Sequence, residues 1–124
     1  MSQSIRDFER TFNAGEDMSS AQYHIVQLDA SGNAEIGEGA TDLVIGVLQN
    51  KPKADEAALV RFLGTTKVIA GGSVSIGDYV TTDGSGHAVA TTTDGNIVIG
   101  RALEAADTSD IFEVQMCVEH LYIA

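Results

Sequence analysis

From residue 23 onward, apolar and polar positions alternate in short runs that end at glycine. The clearest run is Ile111-Phe-Glu-Val-Gln-Met-Cys-Val118. There Phe112, Val114, Met116 and Val118 share one face, opposite Glu113 and Gln115. A period of two predicts a strand with one buried face. Residues 23–28, 65–70, 74–82, 87–91 and 97–100 predict further short strands. Residues 43–48 form an apolar run suited to a strand buried on both faces. Residues 50–55 are a loop, broken by the only proline, Pro52. Short strands with close-spaced glycine turns predict an all-β fold, a small barrel or sandwich of antiparallel strands.

Residues 1–20 are different, being polar with sparse large apolar side chains. Ile5, Phe8 and Phe12 fall at helical spacing, and Ser4 with Asp7 offers a weak capping box. The alternative is an extended arm whose aromatics insert into a partner. The expected division is an N-terminal arm over 1–20 and a single β-barrel domain over 21–124.

Comparing the chain with itself at a shift of 54 positions exposes a duplication. Val26 falls on Val80, Asp29 on Asp83, Ser31 on Ser85, Gly32 on Gly86 and Ala34 on Ala88. Without a gap, Val44, Ile45 and Gly46 fall on Val98, Ile99 and Gly100. Ala58, Val60 and Phe62 then fall on Phe112, Val114 and Met116, which makes 57–63 a strand rather than a helical turn. Asp29, Gly32, Asp83 and Gly86 are structural turn residues: Asp caps its own turn and Gly supplies the backbone freedom. One unit alone leaves an apolar face wet, so two are expected to close on each other as a pseudo-repeated barrel.

Composition narrows the function. The formal net charge is −11, from 18 acidic and 7 basic residues. That argues against a nucleic-acid surface, which needs clustered Lys and Arg, and against docking on anionic lipid. A protein partner is expected. Lys51 and Lys53, flanking Pro52, are a possible contact with an acidic partner surface. No apolar run reaches the roughly 20 residues of a membrane span, and no apolar stretch near the start marks a signal peptide. Synthesis and folding in a cytoplasm are therefore expected. The one cysteine, Cys117, lies in an apolar alternating run and reads as a buried, inert thiol.

Candidate chemistry is sparse. His24, His87 and His120 have no paired ligand spacing, so neither a metal nor another cofactor is expected. Gly84-Ser-Gly86 lacks the residues of a phosphate loop. Asp29-Ala-Ser-Gly-Asn33 lacks the carboxylates of a calcium loop. No nucleophile elbow occurs, and no catalytic residues are assigned.

Several motifs recur in order in one family: Thr11-Phe-Asn-Ala-Gly15, Val26-Gln-Leu-Asp29, Ile45-Gly-Val-Leu-Gln49, Ala70-Gly-Gly-Ser-Val-Ser-Ile-Gly-Asp-Tyr-Val80, Asp83-Gly-Ser-Gly86 and Ile99-Gly-Arg-Ala-Leu103. Over nearly its whole length the chain resembles the small tailed-phage head-decoration proteins, also called capsid cement or capsid-stabilising proteins. The resemblance implies a β-barrel or β-tulip on the outer capsid surface of the virion. It implies a homotrimer that binds the major capsid protein after head expansion and braces the shell against internal DNA pressure. It also implies a capsid-binding arm, which by position would carry Ile5, Phe8 and Phe12. A virion-surface carbohydrate-binding or fibre-base β domain is the alternative, and a small barrel enzyme is a third reading.

Overall fold

The computed structural model describes residues 9–39 and 44–120. Ten strands are present among them: β1 (Glu9–Asn13), β2 (Ile25–Leu28), β3 (Ala34–Ile36), β4 (Val44–Leu48), β5 (Ala57–Arg61), β6 (Gly64–Ile69), β7 (Tyr79–Thr82), β8 (Ala88–Ala90), β9 (Ile97–Ala102) and β10 (Ile111–His120). The expected all-β class is what the structure shows, with no helix among the described residues. The strands form two five-stranded antiparallel sheets, ordered β1-β5-β4-β2-β3 and β6-β10-β9-β7-β8.

The second order is the first with five added to every strand number, so each half of the chain builds one sheet. The details repeat as well. Gly15 N–H donates to the Ala34 carbonyl at 2.8 Å, and Gly71 N–H to the Ala88 carbonyl at 2.8 Å. Met18 N–H donates to the Pro52 carbonyl, and Val74 N–H to the Ala106 carbonyl, again both at 2.8 Å. A side-chain carbon at Gly46 would run into the Arg61 carbonyl; at Gly100 it would run into the Gln115 carbonyl. These glycines let the last strand of each sheet cross its neighbour at backbone contact.

The duplication therefore includes β1, whose counterpart is β6, at a shift of 56 rather than 54. Ala14 matches Ala70 and Met18 matches Val74. The first half is two residues longer just before β2. This corrects the expected arm over 1–20. From Glu9 onward the segment belongs to the domain, as an edge strand paired with β5, and Ala14 and Met18 are fully buried. The helical alternative does not hold over Glu9–Asn13. The physical reason is the half-sheet itself: without β1, β5 would expose its backbone and uncover Ala58 and Val60. Ile5 and Phe8 lie outside the described residues.

Two apolar clusters fill the interior. One belongs wholly to the first half and centres on Met18, Val26, Leu48 and Val60. The other takes Phe112, Val114, Val80 and Ile99 from the second half, and Ile25, Val44 and Val47 from the first. The halves are thus welded by apolar contact rather than by a strand ladder running between the sheets. Along β10 the expected alternation appears: Phe112, Val114 and Met116 are buried, while Glu113 and Gln115 are exposed. Cys117 falls on the outer face with Glu113 and Gln115, so it is exposed rather than the buried thiol expected.

Two outcomes follow. Gly46→Ala and Gly100→Ala each force apart two hydrogen-bonded strands and should cost about 3 kcal/mol in urea unfolding; a change within experimental error would contradict the close approach. Deleting residues 1–20 removes β1, Ala14 and Met18, and should lower stability by several kcal/mol, on the order of a large core truncation. An unfolding midpoint equal to that of the full chain would show that β1 is not part of the domain.

Candidate functional site

The polar residues singled out from the sequence sit mainly at turns. Asp29 Oδ1 accepts hydrogen bonds from the Ser31 and Asn33 N–H groups, both at 2.9 Å. Asp83 Oδ1 accepts from Ser85 and His87 at 2.8 and 2.9 Å. Gly32 and Gly86 hold φ of 83° and 78°, the left-handed region that closes each turn. The Asn33 and Ser31 N–H groups hold the Asp29 carboxyl below its ordinary pKa.

Phe12 is half-buried in β1, opposite Ala58, and packs against the cluster of the first half. Its free face is covered by Arg10, whose guanidinium carbon lies 5.2 Å from the ring centroid. Phe12 is thus a partly buried residue of β1 that packs against the core. Lys51 and Lys53 are exposed on either side of buried Pro52, and Asp17 lies close enough to Lys53 to feel its charge. The structure brings Phe12 and the two lysines to the same half of the molecule. It does not gather them into one cluster with Asp29 or Asp83.

Three features escaped the sequence reading. The first is the edge at β1, which among the described residues pairs along Glu9–Asn13 with β5, while Ala14 just beyond it bridges Ala34 of β3; Arg61 and Glu9 tie the strand down by an ion pair at 2.5 Å. The second is a histidine pair at the seam between halves. The His24 and His87 rings are 4.7 Å apart, and His87 Nδ1 lies 3.6 Å from the Asp83 carboxylate. Burial lowers the His24 pKa, and the neighbouring His87 pushes the same way. The shift of 54 gave no hint, because His24 falls on Asp78 and His87 on Asn33. The third is a set of exposed apolar side chains, including Leu28, Tyr79 and Leu103. Among the described residues no group of three metal-ligating side chains is assembled, and no buried side-chain nitrogen or oxygen lacks a partner. The arrangement presents surfaces, edges and turns, and chemically it is suited to contact with another macromolecule.

Comparison with known proteins agrees in kind. A family model described as phage cement protein matches residues 11–118, spanning both halves. No curated protein sequence matches. Among solved structures, the chain is similar to the N base of the head fibre gp8.5 in bacteriophage phi29, with a TM-score of 0.68 and 23% identity. The match covers 93% of this chain and 98% of that one.

The histidine pair generates a pH prediction. His24 titrates lower in the folded protein than its unfolded value of about 6.5, so the unfolded chain binds more protons between the two values. Stability is then fully present above about pH 6.5 and falls as the pH drops toward the folded pKa. His24→Asn should flatten that part of the Tm-against-pH curve. If the mutant and wild-type curves run parallel from neutral to mildly acidic pH, His24 does not carry the effect.

Proposed function

The chain belongs to the phage cement protein family, and from that premise we propose that it binds the major capsid protein on the outer surface of the expanded head, as a homotrimer, and stiffens the shell against internal DNA pressure. Its place is the capsid surface of the virion, where it serves as a decoration protein. The observation that carries this reading is the family match across both halves, from residue 11 to residue 118.

The surface supports the finer points. β1 and β3 are the edges of one sheet, β6 and β8 of the other. An open edge offers unpaired backbone groups to a strand of a partner protein, and strand addition tolerates sequence change in that partner. We place Ile5 and Phe8, which precede β1, at the same capsid contact. Lys51 and Lys53 stand exposed on a chain of net charge −11 and suit an acidic patch on the shell. A trimer engages several shell subunits at once, so weak single contacts gain roughly 10²–10⁴ in avidity where the geometry fits. The role proposed is structural, without catalysis; Asp29 and Asp83 each use Oδ1 to cap their own turn.

Cosedimentation with expanded, decoration-free shells of the cognate phage tests the reading. Saturable stoichiometric binding and greater resistance of the shells to heat are expected. Shells that neither bind the protein nor gain resistance would end it. Lys51→Glu with Lys53→Glu should weaken binding roughly tenfold, about 1.4 kcal/mol, without changing the fold; unaltered affinity would remove this loop from the contact.

A further inference from the structure

The seam between the halves is one-sided. The second half's turn, residues 83–86, is seated on the first half. A side-chain carbon at Gly86 would meet Ile36 Cγ2 at 2.7 Å, the Ile25 carbonyl at 2.9 Å and His24 Cβ at 3.3 Å. The same carbon at Gly84 would lie 3.6 Å from the Glu38 carbonyl, and Gly37 faces Thr82 at 3.0 Å. The Ile25 N–H donates to the Gly86 carbonyl at 2.7 Å. The equivalent turn of the first half, residues 29–32, makes no reciprocal contact. Ala30, Ser31 and Gly32 are exposed, and nothing lies within 4 Å of a side-chain carbon at Gly32.

Because the halves are duplicates, the seat has a duplicate too. Adding 54 to His24, Ile25, Ile36, Gly37 and Glu38 gives Asp78, Tyr79, Ala90, Thr91 and Thr92. With Gly77, these residues line an open groove of about 360 Å³. Among the described residues there is thus one filled plug-and-seat pair at the seam, plus a plug and a seat at the surface that these residues leave unused.

Exposed apolar side chains mark the unused pair. Thr82, buried at the seam, is 2% exposed; its counterpart Leu28 is 38% exposed. Ile25 is fully buried; its counterpart Tyr79 is 38% exposed. Gln49 reaches across the seam to Thr66 Oγ1 at 2.8 Å, and its counterpart Leu103 is exposed. These are three of the six large apolar side chains exposed among the described residues. The relief differs in one respect: Gly37 becomes Thr91 and Ile36 becomes Ala90, so bulk moves from one side of the seat to the other. The charge of the seat is mixed. The Arg101 guanidinium lies 5.1 Å above the Tyr79 ring and can attract the Asp29 of an incoming turn, while Asp78 lines the groove and opposes it.

We propose that the turn at residues 29–33 of one copy docks in the Gly77–Thr92 groove of a second copy, repeating between chains the contact that joins the two halves within a chain. The contact is heterologous, so each copy keeps one free plug and one free seat until a ring closes. It names the surface behind the homo-oligomer read above and rests on that reading only for its oligomer size.

The test needs no capsid. In a Cys117→Ser background, Ala30→Cys and Thr92→Cys are made as separate chains, matching the approach of Gly84 to Glu38. A short bifunctional thiol reagent should join a mixture of the two into a heterodimer, and join either variant alone at least tenfold less. Equal cross-linking in the mixture and in the single variants, or none in any, overturns the proposal. Ala30→Arg, at an exposed position, should keep the monomer's thermal unfolding and weaken self-association roughly tenfold, about 1.4 kcal/mol. Self-association that survives Ala30→Arg and Thr92→Arg unchanged also overturns it. Cross-linking without shell binding would leave the contact standing and remove the decoration reading; shell binding without cross-linking would do the reverse.

Discussion

The contact between the Gly86 turn and the start of β2 holds the two halves in one arrangement. It needs a glycine, because any side chain there would strike Ile36 and the Ile25 backbone. It also satisfies the Ile25 N–H at the point where that residue is buried away from water. Ile25, Val44 and Val47 can then join the cluster built by the second half. Neither half buries this surface by itself, so the seam turns two similar sheets into one folded unit. The histidine pair sits on the same contact, which is why burial there acts on a titratable group.

Much of this architecture is legible in the sequence where backbone geometry dictates the residue. The Asp and Gly of both turns, and Gly46 with Gly100, are fixed by hydrogen bonding, φ or close approach, so they recur at a constant shift. The strand at 57–61 was recoverable through its clean counterpart in β10. β1 was not, for two physical reasons. An extra two residues before β2 move its register from 54 to 56. The packing partners have also traded volume: Phe12 faces Ala58 in one sheet, while Val68 faces Phe112 in the other. The total bulk across each strand pair is similar, but no large residue falls on a large residue. Helical spacing of Ile5, Phe8 and Phe12 then dominated a segment whose ladder partner lies some 50 residues away.

The site was less legible than the fold, because it consists of contacts rather than of chemistry. Phe12 looks like a binding aromatic in sequence and in space is a partly buried strand residue packed against the core. Leu28 and Tyr79 look like ordinary strand residues and are exposed. What distinguishes them is their counterparts, Thr82 and Ile25, which are buried only because the other half covers them. That information lies in the relation between the repeats, and a single strand pattern does not contain it.

Duplication also bears on how a decoration protein meets its shell. A perfectly two-fold pair of repeats would bury both turns at the seam and leave nothing open. Here the seam consumes one turn and one seat, and the remainder stays available at the surface. Such polarity suits assembly on a curved lattice: in the proposed contact copies would join head to tail, and among the described residues the edge along Glu9–Asn13 would still be free to meet the shell. The high negative charge works against association in free solution, and a shell that gathers several copies at neighbouring sites offsets it by raising their local concentration. The one-sided seam thus links fold to function: the contact that makes each chain a single domain leaves its unused halves where neighbouring copies meet.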